Sequence, residues 1–319
     1  MKICHSCGGK ISKQFLHAAL IASTLLSLIT CTKTRQPGSV SVAIQKLKTK
    51  DYAVCIAEID RVLAAGQESA VAHVRRAYCR SATGDVDGAI ADYSAAIAFS
   101  PKNPASFNNR GAERMRNKDL DGAVADFTTA LELNPQYAEA VRNLGTAQRL
   151  NGNLQEALAE YSRAIELDPS NARGYFDRGV TRIEAGDGAG GLADLNNAIE
   201  RDPKSAAMYA ARADAYRQQD KDDAALGDFT QAIEFEPRNP GPLYRRGCLY
   251  YDRRAWKEAL ADFAKAIQID PNDQTYARIR TALVHLRLNE MDEGKESLRH
   301  CPLDQRKYRT TGQRASQLS

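Results

Sequence analysis

The first residues able to do chemistry stand near the start of the chain. Cys4-His-Ser-Cys7 has the spacing of one knuckle of a zinc ribbon, yet a structural zinc needs four ligands and no second Cys-x-x-Cys follows. The stretch reads either as half a site or as an ordinary leader. Beyond residue 31 there are three histidines, His73, His285 and His300, none with a second His or Cys at ligand spacing in its own helix. Paired acids such as Asp85 and Asp87, or Asp222 and Asp223, read as solvated turn charges and helix starts, where carboxylates meet exposed N–H groups. No Gly-x-x-x-x-Gly-Lys-Ser/Thr, His-Glu-x-x-His or Gly-x-Ser-x-Gly occurs. The expectation is a chain without catalytic residues, cofactor, metal or small-molecule substrate.

Charge narrows the partners. The formal net charge is +4 over 319 residues. Lysines 2, 10 and 13 and a basic tail beyond Leu303 hold the excess, leaving the body slightly acidic. Such a body has no field to hold nucleic acid, so the partner expected is a protein or peptide. The tail, 302–319, is polar and reads as disordered.

From Gln14 to Thr32 there is no Lys, Arg, Asp or Glu, and an apolar run begins at Phe15 behind the three lysines. Positive start, apolar middle and small residues near the end form a secretory signal layout. Leu28-Ile-Thr-Cys31 resembles a bacterial lipoprotein signal, which would make Cys31 the lipidated residue. Residues 1–31 thus read as a lipoprotein signal, an uncleaved anchor or a cleaved signal peptide. Each expects membrane association or export, with the body in the cell envelope or secreted, since the lysines favour an inside N-terminus. Cys55, Cys79, Cys248 and Cys301 show no disulfide-framework spacing and read as small buried apolar side chains, although an exported chain could pair them.

The body repeats itself. Prolines stand at 101, 135, 169, 203, 237 and 271, each 34 residues after the last. Eight residues before them stand Tyr93, Phe127, Tyr161, Leu195, Phe229 and Phe263. Five before them stands alanine each time. Twelve before them stand Ala89, Ala123, Ala157, Gly191, Ala225 and Ala259, and twenty-four before them Ala77, Gly111, Gly145, Gly179, Ala213 and Gly247. Spacings of three, four and seven put each set on one helix face. Small residues let two antiparallel helices approach, and the large one fills the space beside them. In most units an arginine (76, 110, 178, 212, 246) precedes the small residue, with an aspartate sixteen positions later (92, 126, 194, 228, 262). Where the arginine becomes Leu144 the acid becomes Glu160, so the two columns are expected to touch as a bridge within one unit.

This pattern resembles the tetratricopeptide repeat over about residues 36–301. The resemblance implies an all-α, right-handed α-solenoid of helix-turn-helix hairpins. Units are expected at 36–69, 70–103, 104–137, 138–171, 172–205, 206–239 and 240–273, with a partial one at 274–301. It also implies a scaffold whose first helices line a concave groove for a peptide or partner protein. Carried onto this chain, the groove includes Asn108, Arg142, Thr146, Arg149, Arg173, Phe176, Ile183, Tyr244 and Tyr251. Arg142, Arg149 and Arg173 beside Phe176 and Ile183 suggest a pocket for an acidic peptide with an apolar anchor. The family's carboxylate clamp is incomplete here, with Ala112, Ala207 and Ala211 at clamp positions. Alternative roles are an envelope spacer acting through caps or convex face, and a membrane-anchored adaptor facing the cytoplasm. The glycines at 188, 190 and 191 suggest a soft, hinge-like second helix.

Overall fold

The computed structural model describes residues 49–271 and 275–298. Among them lie fifteen helices and no strand. The signal-like segment expected at 1–31, Cys31 included, and the tail at 302–319 lie outside this range. The chain divides into two compact units, one ending at Pro101 and the other starting at Lys102.

The first unit holds α1 (Tyr52–Ala64), α2 (Ala70–Thr83) and α3 (Val86–Phe99). The second holds α4 (Pro104–Arg116), α5 (Leu120–Leu133), α6 (Ala138–Leu150), α7 (Leu154–Leu167), α8 (Ala172–Glu184), α9 (Gly188–Arg201), α10 (Ala206–Arg217), α11 (Asp222–Phe235), α12 (Pro240–Asp252), α13 (Trp256–Ile269), α14 (Thr275–Arg287) and α15 (Met291–Leu298). Within each unit consecutive helices pack on one another, as an α-solenoid requires.

The prolines set where second helices stop. Phe99, Leu133, Leu167, Arg201, Phe235 and Ile269 are the last helical residues, each two before its proline. The residue between them is barred from the helical region by the proline ring. Accordingly Ser100, Asn134, Asp168, Asp202, Glu236 and Asp270 sit at φ between −145° and −128° with ψ of 71–91°. Three first helices open on asparagine caps: Asn103, Asn171 and Asn239 accept from backbone N–H groups two residues on.

The repeating columns form the core. Phe127, Tyr161, Leu195, Phe229 and Phe263 are fully buried, as are the alanines at the twelve-before and five-before positions nearly throughout. The glycines mark the crossings. A Cβ built on Gly111 would lie 2.8 Å from the Phe127 ring, and one on Gly247 2.7 Å from the Phe263 ring. Each buried aromatic is worth about 1.5–3 kcal/mol of burial, against about 1 kcal/mol for a helical glycine.

One reading is corrected here. Cys55 of α1 and Cys79 of α2 are joined in a disulfide, Cα atoms 6.5 Å apart, and are not independent apolar side chains. Both cysteines lie on facing core columns of neighbouring helices, a geometry that linear spacing does not reveal. The glycines of α9 are also spoken for. A Cβ on Gly191 would lie 2.8 Å from the Gly179 carbonyl and 2.4 Å from Ile183. One on Gly190 would strike the Asp187 side chain that caps the helix. They serve a close α8–α9 crossing and a cap.

Candidate interaction face of the first helices

Five arginine–aspartate pairs join first to second helix within a hairpin. In each, Nε and one terminal nitrogen donate to the two carboxylate oxygens at 2.6–2.9 Å: Arg76–Asp92, Arg110–Asp126, Arg178–Asp194, Arg212–Asp228 and Arg246–Asp262. The aspartates are buried and the arginines nearly so, which makes these struts of the fold. Hydrogen bonding to Asp194 outweighs desolvation and holds the Arg178 guanidinium above its ordinary pKa.

A second set went unread in the sequence. Arg80, Arg114 and Arg182, four residues after the first arginine, also reach Asp92, Asp126 and Asp194, at 2.8–3.0 Å. Each donates to a glycine carbonyl (Gly88, Gly122, Gly190) and lies near the capping Asp85, Asp119 or Asp187. The signal was present: hairpins lacking this arginine carry Gln148, Tyr216 or Tyr250 instead, and replace the capping aspartate with Asn153, Lys221 or Ala255. Those three second helices have no side-chain cap bond.

The residues expected to line a groove sit on the first helices, and most are already engaged. Asn108 is 1% exposed; its Oδ1 accepts from Asn143 of the next first helix at 2.9 Å. That burial takes its amide off the surface. Arg142 donates to Asp177 at 3.0 Å and to Asn143 at 2.9 Å, and Arg149 to Glu184 at 3.2 Å. Arg173, largely exposed, leans over the Phe176 ring at 5.3 Å and reaches Asp177 at 3.3 Å. The structure thus gathers the three arginines but pairs each with a carboxylate. Thr146 accepts from the Tyr161 hydroxyl at 3.1 Å, and burial raises that phenol's pKa. Phe176 and Ile183 are half-buried against the α9–α10 core. Tyr244 tilts on Phe263 at 5.9 Å, and Tyr251 meets Trp256 edge-on at 5.3 Å.

Several of these bonds are rungs between consecutive first helices, 35 residues apart: Asn108–Asn143, Arg142–Asp177, Arg149–Glu184 and Arg217–Asp252. The face is therefore a cross-tied wall, and cavities open in it. One cavity of about 350 Å³ is lined by Asp214, Arg217 and Gln218. Another, of about 480 Å³, is lined by Tyr251, Asp252, Arg254, Trp256 and Arg287. Burial pushes the Asp214 carboxyl above its usual range, against the pull of Arg245 and Arg217. Burial likewise raises the Cys248 thiol, which lies inside the wall.

No cluster of three or more His, Cys, Asp or Glu side chains able to hold a metal occurs among the described residues. His73 is buried against Asp92 at 3.3 Å, and His285 meets Glu290 at 2.7 Å. No described helix is long and apolar enough to cross a membrane.

Sequence models described as "Tetratricopeptide repeat" match residues 43–104, 109–172 and 176–241, and a second such model matches 213–284. The chain belongs to the tetratricopeptide repeat family. No curated protein matches it by sequence. Among solved structures it is similar to a tetratricopeptide repeat protein from Parabacteroides merdae at 17% identity and TM-score 0.64, covering 77% of this chain and 96% of that one. It is also similar to the C-terminal part of a TPR repeat-containing protein from Cytophaga hutchinsonii, at 19% identity and TM-score 0.54, covering 74% and 96%. A third is the APC/C hetero-tetramer Cut9–Hcn1, at 16% identity and TM-score 0.62, covering 86% of this chain and 52% of that one. At these identities the likeness is one of fold. Tetratricopeptide solenoids are typically non-enzymatic, and the repeats here support a protein–protein interaction scaffold.

Proposed function

We propose that this tetratricopeptide protein works outside the cytoplasm and holds a peptide or partner protein along the face of its first helices. The observation that carries the reading is the contrast between faces. Hairpin crossings are filled to contact, whereas the first-helix face is half-buried, varies from unit to unit, and carries the two cavities. Variation on one face of a constant scaffold is where specificity resides. The Cys55–Cys79 disulfide supports the location, because such bonds persist in oxidising compartments. The signal-like run before Cys31 points the same way.

Arg142 is a poor site to reverse in charge, since a glutamate there would oppose Asp177. Arg149→Gln with Arg173→Gln removes charge at two exposed pairs, each worth about 0–1 kcal/mol. Capture from the native host, compared with wild type by mass spectrometry, should lose a partner that wild type keeps. A partner retained by both proteins moves function to the caps or the second helices, the spacer reading. For location, acid-trapped cells treated with a maleimide should leave Cys55 and Cys79 unlabelled until reduction. Free thiols at both would argue for a cytoplasm-facing adaptor.

A further inference from the structure

The larger cavity differs in one respect from the arginine cluster that the sequence singles out. Arg142, Arg149 and Arg173 are each paired with a carboxylate, whereas Arg254 and Arg287, both exposed, line the 480 Å³ cavity with no carboxylate partner among the described residues. Tyr251 and Trp256 form its aromatic wall, and the Arg280 guanidinium stacks on the Tyr251 ring at 4.9 Å. The acid among the lining residues, Asp252, is drawn toward Arg217 at 3.3 Å. The volume falls in the range of ligand sites, roughly 300–1,000 Å³.

Arg254 sits in the turn between α12 and α13 at φ 59°, and the turns at whole 34-residue steps before it, at Gly84, Lys118, Gly152, Gly186 and Asp220, hold positive φ too. The conformation belongs to the repeat, and glycine suits it.

Resting on the scaffold reading above, we infer that this cavity at the α12–α13 turn and the end of α14 is the subsite that receives an acidic group of the bound peptide, with an aromatic or apolar neighbour against Tyr251 and Trp256. The two guanidiniums supply planar donors for a carboxylate, and the rings supply flat apolar area at little entropic cost.

Trp256 is the chain's one tryptophan, so its fluorescence reports the site directly. The probe is N-acetyl-Glu-Phe-Glu-Phe with a free carboxyl end, tested beside its C-terminal amide and beside an amide in which both glutamates are glutamine. The free acid should shift Trp256 emission saturably and weaken as salt rises. The neutral peptide should bind about tenfold or more weakly, as expected when charge-assisted bonds are lost. The amide that keeps its glutamates tells whether the side chains or the terminus supply the carboxylate. Arg254→Gly and Arg287→Gln should each weaken binding about tenfold, while Arg254→Gly melts no lower than wild type because glycine suits the turn. No saturable change, equal binding of the neutral peptide, or full binding by both variants would overturn the subsite. If that happens while partner capture still depends on Arg149 and Arg173, the scaffold reading stands and the subsite alone falls.

Discussion

The buried aspartates differ in how many cations they hold. Asp126 keeps Arg114 at 3.0 Å if Arg110 is removed, whereas Asp228 has Arg212 as its arginine partner and Tyr216 where the second arginine would be. Stranding a buried charge costs about 3–5 kcal/mol, so Arg212→Met should approach that loss and Arg110→Met should fall well short of it. Urea unfolding of both variants measures the order, and equal losses would mean that Arg114 does not compensate. Gly145 faces the Tyr161 ring at 3.0 Å and the Ala157 carbonyl at 3.3 Å. Gly145→Leu should therefore cost about 1–3 kcal/mol or more by overpacking, read as a lowered melting temperature; an unchanged one would put the crossing elsewhere. The sixteen-residue bridge was legible because both of its columns change together at Leu144 and Glu160. The rungs were not, because their partners lie one full repeat plus one residue away. At that step Arg149 stands with Glu184 and Arg217 with Asp252, but Met115 with Leu150 and Ile183 with Gln218, so the columns do not track each other throughout.

Helices here are set by proline, cap and crossing, and two of them test that account. α1 packs through Cys55, Ile59 and Val62 onto α2, and the Cys55–Cys79 bond closes a loop of 24 residues. Closing a loop of that size is worth about 3 kcal/mol through the unfolded chain. Reduction should release α1 first, seen as faster amide exchange over 52–64 with α6 to α13 unchanged. Exchange that stays slow after reduction would show that packing alone holds the helix. α9 was expected to be soft from its glycine content. With Gly191 against Gly179 and Gly190 beneath its capping aspartate, exchange over 191–199 should match that of α7 and α11. Markedly faster exchange would restore the hinge. Composition identified the glycines, but only the facing helix shows that the missing Cβ atoms are needed for contact.

For the molecule as a whole, the 34-residue register was readable because packing repeats with the chain: every column that makes a crossing recurs at one step. The interaction face was readable only as a location. Its arginines looked free in the sequence and are tied across hairpins in the structure. Arg254 and Arg287, without a carboxylate partner among the described residues, belong to different repeats that only folding brings to one cavity. The central claim is that a partner lies on the first helices. It is tested most directly by placing a photo-crosslinking residue at exposed Arg173 of α8, and separately at exposed Glu132 of α5, a second helix, in the native host. One protein crosslinked from position 173 and absent from position 132 is the result predicted. Crosslinks from 132 with none from 173 would contradict the account and put the working surface on the second helices.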